Sequence, residues 1–161
     1  KEFLNIDLTP NELDALCQKY SRSVEQQVVE CESVDGALAF LIRAKDILKT
    51  FVVSGTPEDE LRRITDKRGI SGYFTGIYGS PRTKDDIVNE LLDLHGLTAA
   101  KCLFIGDAMT DYNAAQICKM PFLGRVNPDE DSPFPDGTDT VPHLSGLAKY
   151  VKLHELEGDK S

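Results

Sequence analysis

Two aspartates in the second half of the chain stand four residues apart, directly after a short apolar run. They belong to the stretch CLFIGDAMTDYNAA, which begins at Cys102 and contains LFI, Gly106, Asp107 and Asp111. The apolar run is short enough for a buried strand, and a helical pattern follows it. Two carboxylates at the end of a buried strand are costly unless a cation lies between them. The pattern therefore predicts a site for Mg²⁺, which takes one or two carboxylates together with water and phosphate oxygens.

The two aspartates differ in what they are expected to do. Asp107 lies nearest the strand end and suits contact with the ion, either directly or through water. Asp111 either contributes to the same metal site or orients Lys84. The structural alternative is that Asp107 shapes a turn and Asp111 only favours the start of its helix.

Two other segments carry groups that suit an anion. Ser54 and Gly55 follow the apolar run TFVV, and the hydroxyl, the amide and the next helix N-terminus could donate to anion oxygens. Lys84 lies in the first turn of a later helix, where a cation opposes the helix dipole, which suggests that it neutralises a phosphate. Each segment also has a structural explanation: a Ser-Gly turn with Thr56 as helix cap, and a solvated lysine paired with a neighbouring aspartate.

The elements that must position these groups alternate along the chain. Thr9 and Thr56 carry helix-start signals, each followed by proline and an acidic residue. The predicted helices cover residues 10–28, 34–44, 56–67, 83–94, 111–118 and 141–151, and the predicted strands cover 50–53, 73–78, 101–105 and 122–126. Strands alternating with helices indicate an α/β fold with a Rossmann-like parallel sheet and helices on both faces. Ligands of such sheets bind at the carboxyl ends of the strands, so the three polar segments should meet at one edge.

Composition narrows the possible partners. The 161 residues carry a net charge of −9 and no run of Lys and Arg, which makes nucleic acid an unfavourable partner. No apolar stretch approaches the roughly 20 residues that cross a bilayer, and no signal-peptide pattern is visible, so we expect a cytoplasmic protein without a membrane partner. The four widely spaced cysteines include no Cys-x-x-Cys pair, which favours buried free thiols over zinc or disulfides.

Three segments together resemble a known family. FVVSGTPEDELRRI, IYGSPRTKDDIV and CLFIGDAMTDYNAA look like the second, third and fourth motifs of the haloacid dehalogenase-like (HAD) hydrolase superfamily, and are most similar to its phosphoglycolate phosphatase-like branch. The resemblance spans residues 34–147. It implies a Mg²⁺-dependent phosphomonoester hydrolase with a HAD-like core, acting on a small phosphorylated metabolite.

The resemblance also implies a role for each site residue. Ser54 and Gly55 would bind the transferring phosphoryl group, and Lys84 would stabilise its charge and the nucleophile. Asp107 would hold Mg²⁺, and Asp111 would complete the acidic motif. In this family an aspartate attacks phosphorus, and water then hydrolyses the aspartyl-phosphate.

The family's first motif, an apolar strand followed by Asp-x-Asp-x-Thr, should lie upstream of Phe51. The nearest match is NIDLT, which places Asn5 where the nucleophile should be, and an amide cannot act as that aspartate does. Thr9 is already explained as a helix cap, and the segment around it resembles the end of the family's helical cap domain. We therefore expect residues 1–33 to be a cap remnant, 34–152 the core and 153–161 a frayed tail, with the nucleophilic Asp absent from this chain.

Two function classes follow from this pattern. The first is a HAD-type phosphatase whose 161-residue chain is itself inactive; the alternative is a non-catalytic HAD-like domain that binds a phosphorylated ligand or a protein partner. In the resembled fold the first-motif strand lies between the strands at Phe51 and Leu103, so its absence leaves two unpaired edges. These strands would pair directly, residues 2–8 would insert, or a second molecule would donate a strand, and we expect some self-association.

Overall fold

A computed structural model describes residues 9–152 and divides the chain into two compact units between Glu32 and Ser33. In the first unit, helix α1 spans Pro10–Glu30. Its start is a capping box, because the Thr9 hydroxyl accepts a hydrogen bond from the Glu12 amide and the Glu12 carboxylate accepts one from the Thr9 amide. The helix start predicted at Thr9 is thus where the structure has it, while the interpretation as a cap remnant stays a prediction.

The second unit alternates strands with helices, as the sequence predicts. Its helices are α2 (Ala37–Ala44), α3 (Glu58–Lys67), α4 (Lys84–Leu94), α5 (Met109–Ile117) and α6 (Leu147–Tyr150). Its strands are β1 (Phe51–Pro57), β2 (Gly76–Ser80), β3 (Phe104–Gly106), β4 (Phe122–Arg125) and β5 (Thr140–Val141). Short 3₁₀ turns at Ser71–Tyr73 and Ala99–Lys101 lead into β2 and β3.

The strands form two parallel sheets rather than one. β1 pairs with β2, and β3, β4 and β5 pair in that order. Within residues 9–152 no pairing joins β1 to β3, so direct closure between these two strands, one of the expected arrangements, is not observed. The segment 2–8, another candidate for the gap, lies outside the described residues. The predicted parallel, Rossmann-like α/β fold is confirmed.

One apolar core serves both sheets. Phe104, Phe122 and Phe134 pack with residues of α4 and α5, and Val53 of β1 packs against the same cluster. The rings of Phe122 and Phe134 meet edge to face, with centroids 5.1 Å apart. Gly124 permits this contact, since a Cβ there would lie 2.5 Å from the Phe134 ring. The shared core keeps the carboxyl ends of both sheets in one unit.

Four predicted elements differ from the structure. The strands predicted over 73–78 and 101–105 begin only at Gly76 and Phe104, because a 3₁₀ turn precedes each of them. Thr56 does not cap α3, because β1 continues to Pro57, which pairs with Ser80, and the helix begins at Glu58 without a side-chain cap. The segment predicted as one helix over 141–151 instead begins with the end of β5, since the Val126 amide donates to the Val141 carbonyl. Pairing with β4 outweighs the local helical pattern there.

The described helices and cysteines bear on the expectations drawn from composition. None of the helices within residues 9–152 has the length and apolar character needed to cross a membrane. Among the cysteines whose side chains the structure describes, Cys118 is buried, Cys102 is half-buried and Cys31 is exposed, so the expectation of buried thiols holds fully only for Cys118.

Candidate active site at the carboxyl ends of the strands

Lys84 and Asp111 form a largely buried ion pair. Lys84 is the first residue of α4 and Asp111 lies in the first turn of α5, with 2.5 Å between Nζ and Oδ1. Their side chains are 19% and 8% exposed. The other carboxylate oxygen, Oδ2, accepts a hydrogen bond from the Ala108 amide at 3.1 Å. Both oxygens of Asp111 are therefore engaged, and these contacts favour the role of orienting Lys84 over that of a metal ligand.

The pair also decides between the two interpretations of Lys84. The lysine is not a solvated side chain paired with its own helix neighbours; it reaches across to α5, where Nζ also lies 3.3 Å from the Thr110 hydroxyl. Thr83 caps α4 by accepting a hydrogen bond from the Asp86 amide, which fixes the helix start that carries Lys84.

Gly106 makes room for this arrangement at the end of β3. A Cβ on Gly106 would lie 2.3 Å from the Asp111 Cβ and 2.5 Å from its Cγ, closer than real side-chain contacts allow. Glycine at this position therefore lets α5 start directly against the strand, with the Asp111 carboxylate turned toward Lys84.

Asp107 follows Gly106 and is exposed. It lines a cleft of about 210 Å³ together with Arg125, Asn127 and Glu130. Its carboxylate has no hydrogen-bond or ion-pair partner among the described residues. In that same part of the chain no three His, Cys, Asp or Glu side chains are grouped as a metal site. A single accessible carboxylate fits Mg²⁺, which keeps several waters and takes its remaining ligands from phosphate oxygens.

Ser54 lies within β1, where the pairing with β2 becomes irregular after Val53. Its Oγ accepts a hydrogen bond from the Thr56 amide at 3.1 Å and lies 3.1 Å from the Thr56 hydroxyl. The predicted helix N-terminus beside Ser54 is wrong, since α3 begins only at Glu58. Gly55 is exposed, and a Cβ at this position would meet no atom within 4 Å. No hydrogen bond in residues 9–152 joins Ser54 to Lys84 or Asp107, and a shared phosphoryl site for them stays a prediction.

A carboxylate that the sequence analysis missed connects the ends of β1 and β2. Glu58 accepts hydrogen bonds from the Gly79 amide at 3.2 Å and from Arg82 at 3.1 Å, and it pairs with Arg62 at 2.8 Å. The hydrogen bond from Arg62 and then that from Gly79 lower the pKa of Glu58. A Cβ on Gly79 would lie 2.3 Å from the Thr56 carbonyl oxygen, so the two segments pass in close contact. The sequence signal that could have identified Glu58 is its position directly after Thr56 and Pro57, which end the strand.

Arg82 extends this network along the loop that precedes Lys84. Its guanidinium contacts Glu90 at 2.7 Å as well as Glu58, and it lies over the Tyr78 ring at 5.4 Å from the centroid. The loop between β2 and α4 is therefore held from both sides, by α3 and by α4.

Most of the sequence matches one protein family. The model of the haloacid dehalogenase-like hydrolases matches residues 2–124, well over half of the chain. The chain belongs to this family. The resemblance of the three motifs to this family is confirmed. No curated protein sequence matches the chain.

Solved HAD structures share the fold at low identity. A predicted phosphoglycolate phosphatase from Haemophilus somnus has a TM-score of 0.75 at 17% identity, over 89% of this chain and 68% of its own. A HAD-superfamily hydrolase from Geobacter sulfurreducens has a TM-score of 0.69 at 15% identity, over 89% of this chain and 68% of its own. A Bacillus subtilis protein named as a HAD-hydrolase, YfnB, in a magnesium-bound structure, has a TM-score of 0.72 at 20% identity, over 88% of this chain. This chain spans only 63% of the length of YfnB.

Proposed function

We propose that this HAD-like core belongs to a Mg²⁺-dependent phosphomonoester hydrolase that acts on a small phosphorylated metabolite. The buried pair of Lys84 and Asp111 beside the accessible Asp107 carries this proposal. A lysine held by a buried carboxylate at the carboxyl edge of a parallel sheet supplies a fixed positive charge where ligands of such sheets bind. A fixed charge of this kind stabilises negative charge that develops on a transferring group.

Each residue has one role in the proposed site. The Ser54 hydroxyl and the Gly55 amide donate to the phosphoryl oxygens, and Lys84 neutralises their charge. Asp111 positions Lys84 through the 2.5 Å contact and does not itself touch the substrate. Asp107 contributes one carboxylate to Mg²⁺, which when bound neutralises phosphate oxygens and orients the ester.

The nucleophile of the proposed reaction is not among the residues assigned above. In the family an aspartate carries out the attack, and the closest sequence match in this chain, Asn5, lies outside the described residues. An amide is too weak a nucleophile for this step. We therefore expect no measurable hydrolysis by the 161-residue chain alone.

Phosphatase assays of two forms of the protein test the proposal. The first is the 161-residue chain, and the second is a longer form that carries an apolar strand ending in Asp-x-Asp-x-Thr ahead of it. We expect Mg²⁺-dependent hydrolysis of p-nitrophenyl phosphate only by the longer form. In that form Lys84→Met should lower kcat/KM by a factor of about 100 or more, because it removes the charge that stabilises the transition state. Asp93→Asn, which removes an exposed carboxylate at the far end of α4, is the control and should change little.

Two outcomes would contradict the proposal. Inactivity of a folded longer form toward a panel of phosphomonoesters would argue against a hydrolase. Turnover by the 161-residue chain that Asp107→Asn abolishes would show that the nucleophile lies within this chain after all.

Metal binding provides a test that needs no activity. We expect weak Mg²⁺ binding by calorimetry, because one protein carboxylate leaves most of the coordination to water. Asp107→Asn should remove the binding that is detectable, and Asp93→Asn should leave it in place. Equal binding in wild type and Asp107→Asn would move the metal site elsewhere.

A second candidate function is a domain that binds a phosphorylated ligand or a partner without turnover. If NIDLT is the counterpart of the first motif rather than part of a cap remnant, Asn5 stands where the nucleophile should be, and this match favours the second function. The longer form distinguishes this function from hydrolysis, because a binding domain would bind methyl phosphate without hydrolysing it.

Self-association forms part of the same proposal. The inner edges of β1 and β3 have no strand partner within residues 9–152, and unpaired strand edges are templates for another chain. Leu38 and Ile42 of α2 add exposed apolar surface, at 42% and 54% exposure. We expect sedimentation velocity to show dimers or larger species of the 161-residue chain that increase with concentration. A monomer at all concentrations would contradict this expectation.

A further inference from the structure

Arg125 lies next to Asp107 at the carboxyl edge of the second sheet. It is the last residue of β4, and the pairing of Gly106 with Gly124 places the two residues that follow at neighbouring strand ends. Paired strands are about 4.8 Å apart, which brings the two side chains within reach of one ligand. Both side chains line the cleft of about 210 Å³.

The guanidinium of Arg125 differs from those of Arg62 and Arg82. Arg62 and Arg82 each pair with at least one carboxylate at 3.1 Å or less. Arg125 has no hydrogen-bond or ion-pair partner in the described part of the chain, although its Nε is buried. A buried donor without a partner is uncommon in folded proteins and calls for an explanation.

The carboxylates around the cleft do not supply that partner. Glu130 and Asp131 line the same cleft and are exposed, yet neither lies within ion-pair distance of Arg125. The buried Nε is closed to solvent, so an oxygen from outside the chain would reach the guanidinium through its two terminal Nη groups, which also have no partner among the described residues. Its planar set of N–H donors matches the paired oxygens of a carboxylate or phosphate group.

We propose that Arg125 binds a second oxyanion of the substrate, a carboxylate or a second phosphate, beside Asp107. This inference rests on the proposed phosphomonoester hydrolase and narrows its substrate class to phosphomonoesters that carry another anionic group. Arg125 is then a specificity residue, because Ser54, Gly55 and Lys84 hold the transferring phosphoryl group and Arg125 holds the remainder of the substrate.

The carboxylates of the cleft allow a test that separates anion binding by Arg125 from a purely structural role. Glu130 and Asp131 repel an incoming anion and so weaken its binding. Removing one of these carboxylates should strengthen anion binding, while removing Arg125 should weaken it. If Arg125 served only to stabilise the fold, no anion would bind in this cleft beside Glu130. Glu130→Gln would then leave the affinity of the chain for the added anion unchanged.

Titration with malonate, followed by NMR, tests the inference on the 161-residue chain. Malonate offers carboxylates without a phosphoryl group, and the Arg125 Nε–H signal is assigned from its loss in Arg125→Gln. We expect malonate to shift this signal. Its affinity, followed on the backbone amides of Val126 and Asn127, should fall about tenfold in Arg125→Gln, which corresponds to about 1.4 kcal/mol. Lys101→Gln removes an exposed charge at the opposite edge of the same sheet and should leave malonate affinity unchanged.

Glu130→Gln keeps the test decisive if Arg125→Gln fails to fold. This variant alters an exposed loop residue and should bind malonate several-fold more tightly than wild type. An Arg125 signal that malonate does not shift, equal affinity in Arg125→Gln, or no strengthening in Glu130→Gln would each overturn the inference.

Methyl phosphate separates this inference from the proposed function. If it shifts the Gly55 amide while malonate leaves Arg125 unchanged, the phosphoryl site stands and the Arg125 inference fails. If malonate shifts Arg125 while methyl phosphate leaves the Gly55 amide unchanged, Arg125 binds oxyanions but the proposed phosphoryl site is wrong.

Discussion

Two ion-pair arrangements lie at the same edge of the core and differ in burial. Glu58 shares its carboxylate among Arg62, Arg82 and the Gly79 amide, with side chains that are 29% to 49% exposed. Lys84 and Asp111 form a pair whose side chains are at most 19% exposed. Exposed pairs contribute little and tolerate the loss of a partner, whereas the loss of one partner from a buried pair leaves a charge without compensation.

The two arrangements also connect different parts of the fold. The Glu58 network holds together the ends of β1 and β2, which are already joined by strand pairing. The Lys84–Asp111 pair connects α4 with α5, and thereby the first sheet with the second, between which the described residues show no strand pairing. We infer that the buried pair matters for the integrity of the site, while the exposed network adjusts the position of one loop.

Removing the lysine should have the largest effect. Lys84→Met leaves the Asp111 carboxylate buried without its cation, and such a loss costs about 3–5 kcal/mol. Urea denaturation should show this decrease in the free energy of unfolding. The double variant Lys84→Met/Asp111→Leu removes both charges and should recover most of the loss, since a buried pair replaced by apolar residues is often neutral. A single variant as stable as wild type would show that the pair is effectively solvated.

Filling the space beside the pair should have the next largest effect. Gly106→Ala places a methyl group 2.3 Å from the Asp111 Cβ, so α5 must move away from β3. Overpacking of this kind costs about 1–3 kcal/mol, and thermal denaturation should show a lower Tm. Gly72→Ala is the matched control, because a Cβ there has no neighbour within 4 Å and its φ is not positive. Equal effects of the two substitutions would contradict the close approach.

Much of this arrangement was predictable from the sequence because it depends on local patterns. The apolar runs, helix caps and glycines predicted the alternation of strands and helices, and three motifs placed Ser54, Lys84 and Asp107 at strand ends. Lys84 at a helix start was recognised as unfavourable for the helix itself. The structure supplies the compensation, which is a carboxylate from the next helix.

The features that escaped prediction depend on contacts distant in sequence. Whether Asp111 would bind a metal or Lys84 could not be decided without knowing how α4 packs against α5. The extension of β1 to Pro57 depends on pairing with Ser80, and β5 on pairing with β4. The sequence does not indicate a role for Arg125, because a single arginine at a strand end is common. Only the structure shows that its Nε is buried without a partner.

The exposed network should show a smaller effect than the buried pair. Glu58→Gln removes the charge that pairs with Arg62 and Arg82, and exposed pairs of this kind contribute up to about 1 kcal/mol. Urea denaturation should therefore show a loss smaller than that of Lys84→Met. Glu90→Gln, which removes only the second partner of Arg82, is the control and should have less effect still. A loss as large as that of Lys84→Met would mean that the Glu58 network is no less important than the buried pair.

The smallest expected effect is the pH and salt dependence of the same network. Hydrogen bonds from Arg62 and Gly79 lower the pKa of Glu58 from its ordinary value of 4.5. The unfolded chain then binds the proton more readily than the folded one, so the stabilisation is complete above about pH 4.5 and is lost as the pH falls through the folded-state pKa. The difference in stability between wild type and Glu58→Gln should accordingly shrink below pH 4.5. It should also shrink in about 1 M salt, where screening acts over about 3 Å, while the effect of Lys84→Met persists because buried pairs are screened much less. If salt reduced both effects equally, the difference in burial between the two arrangements would not govern their energetics.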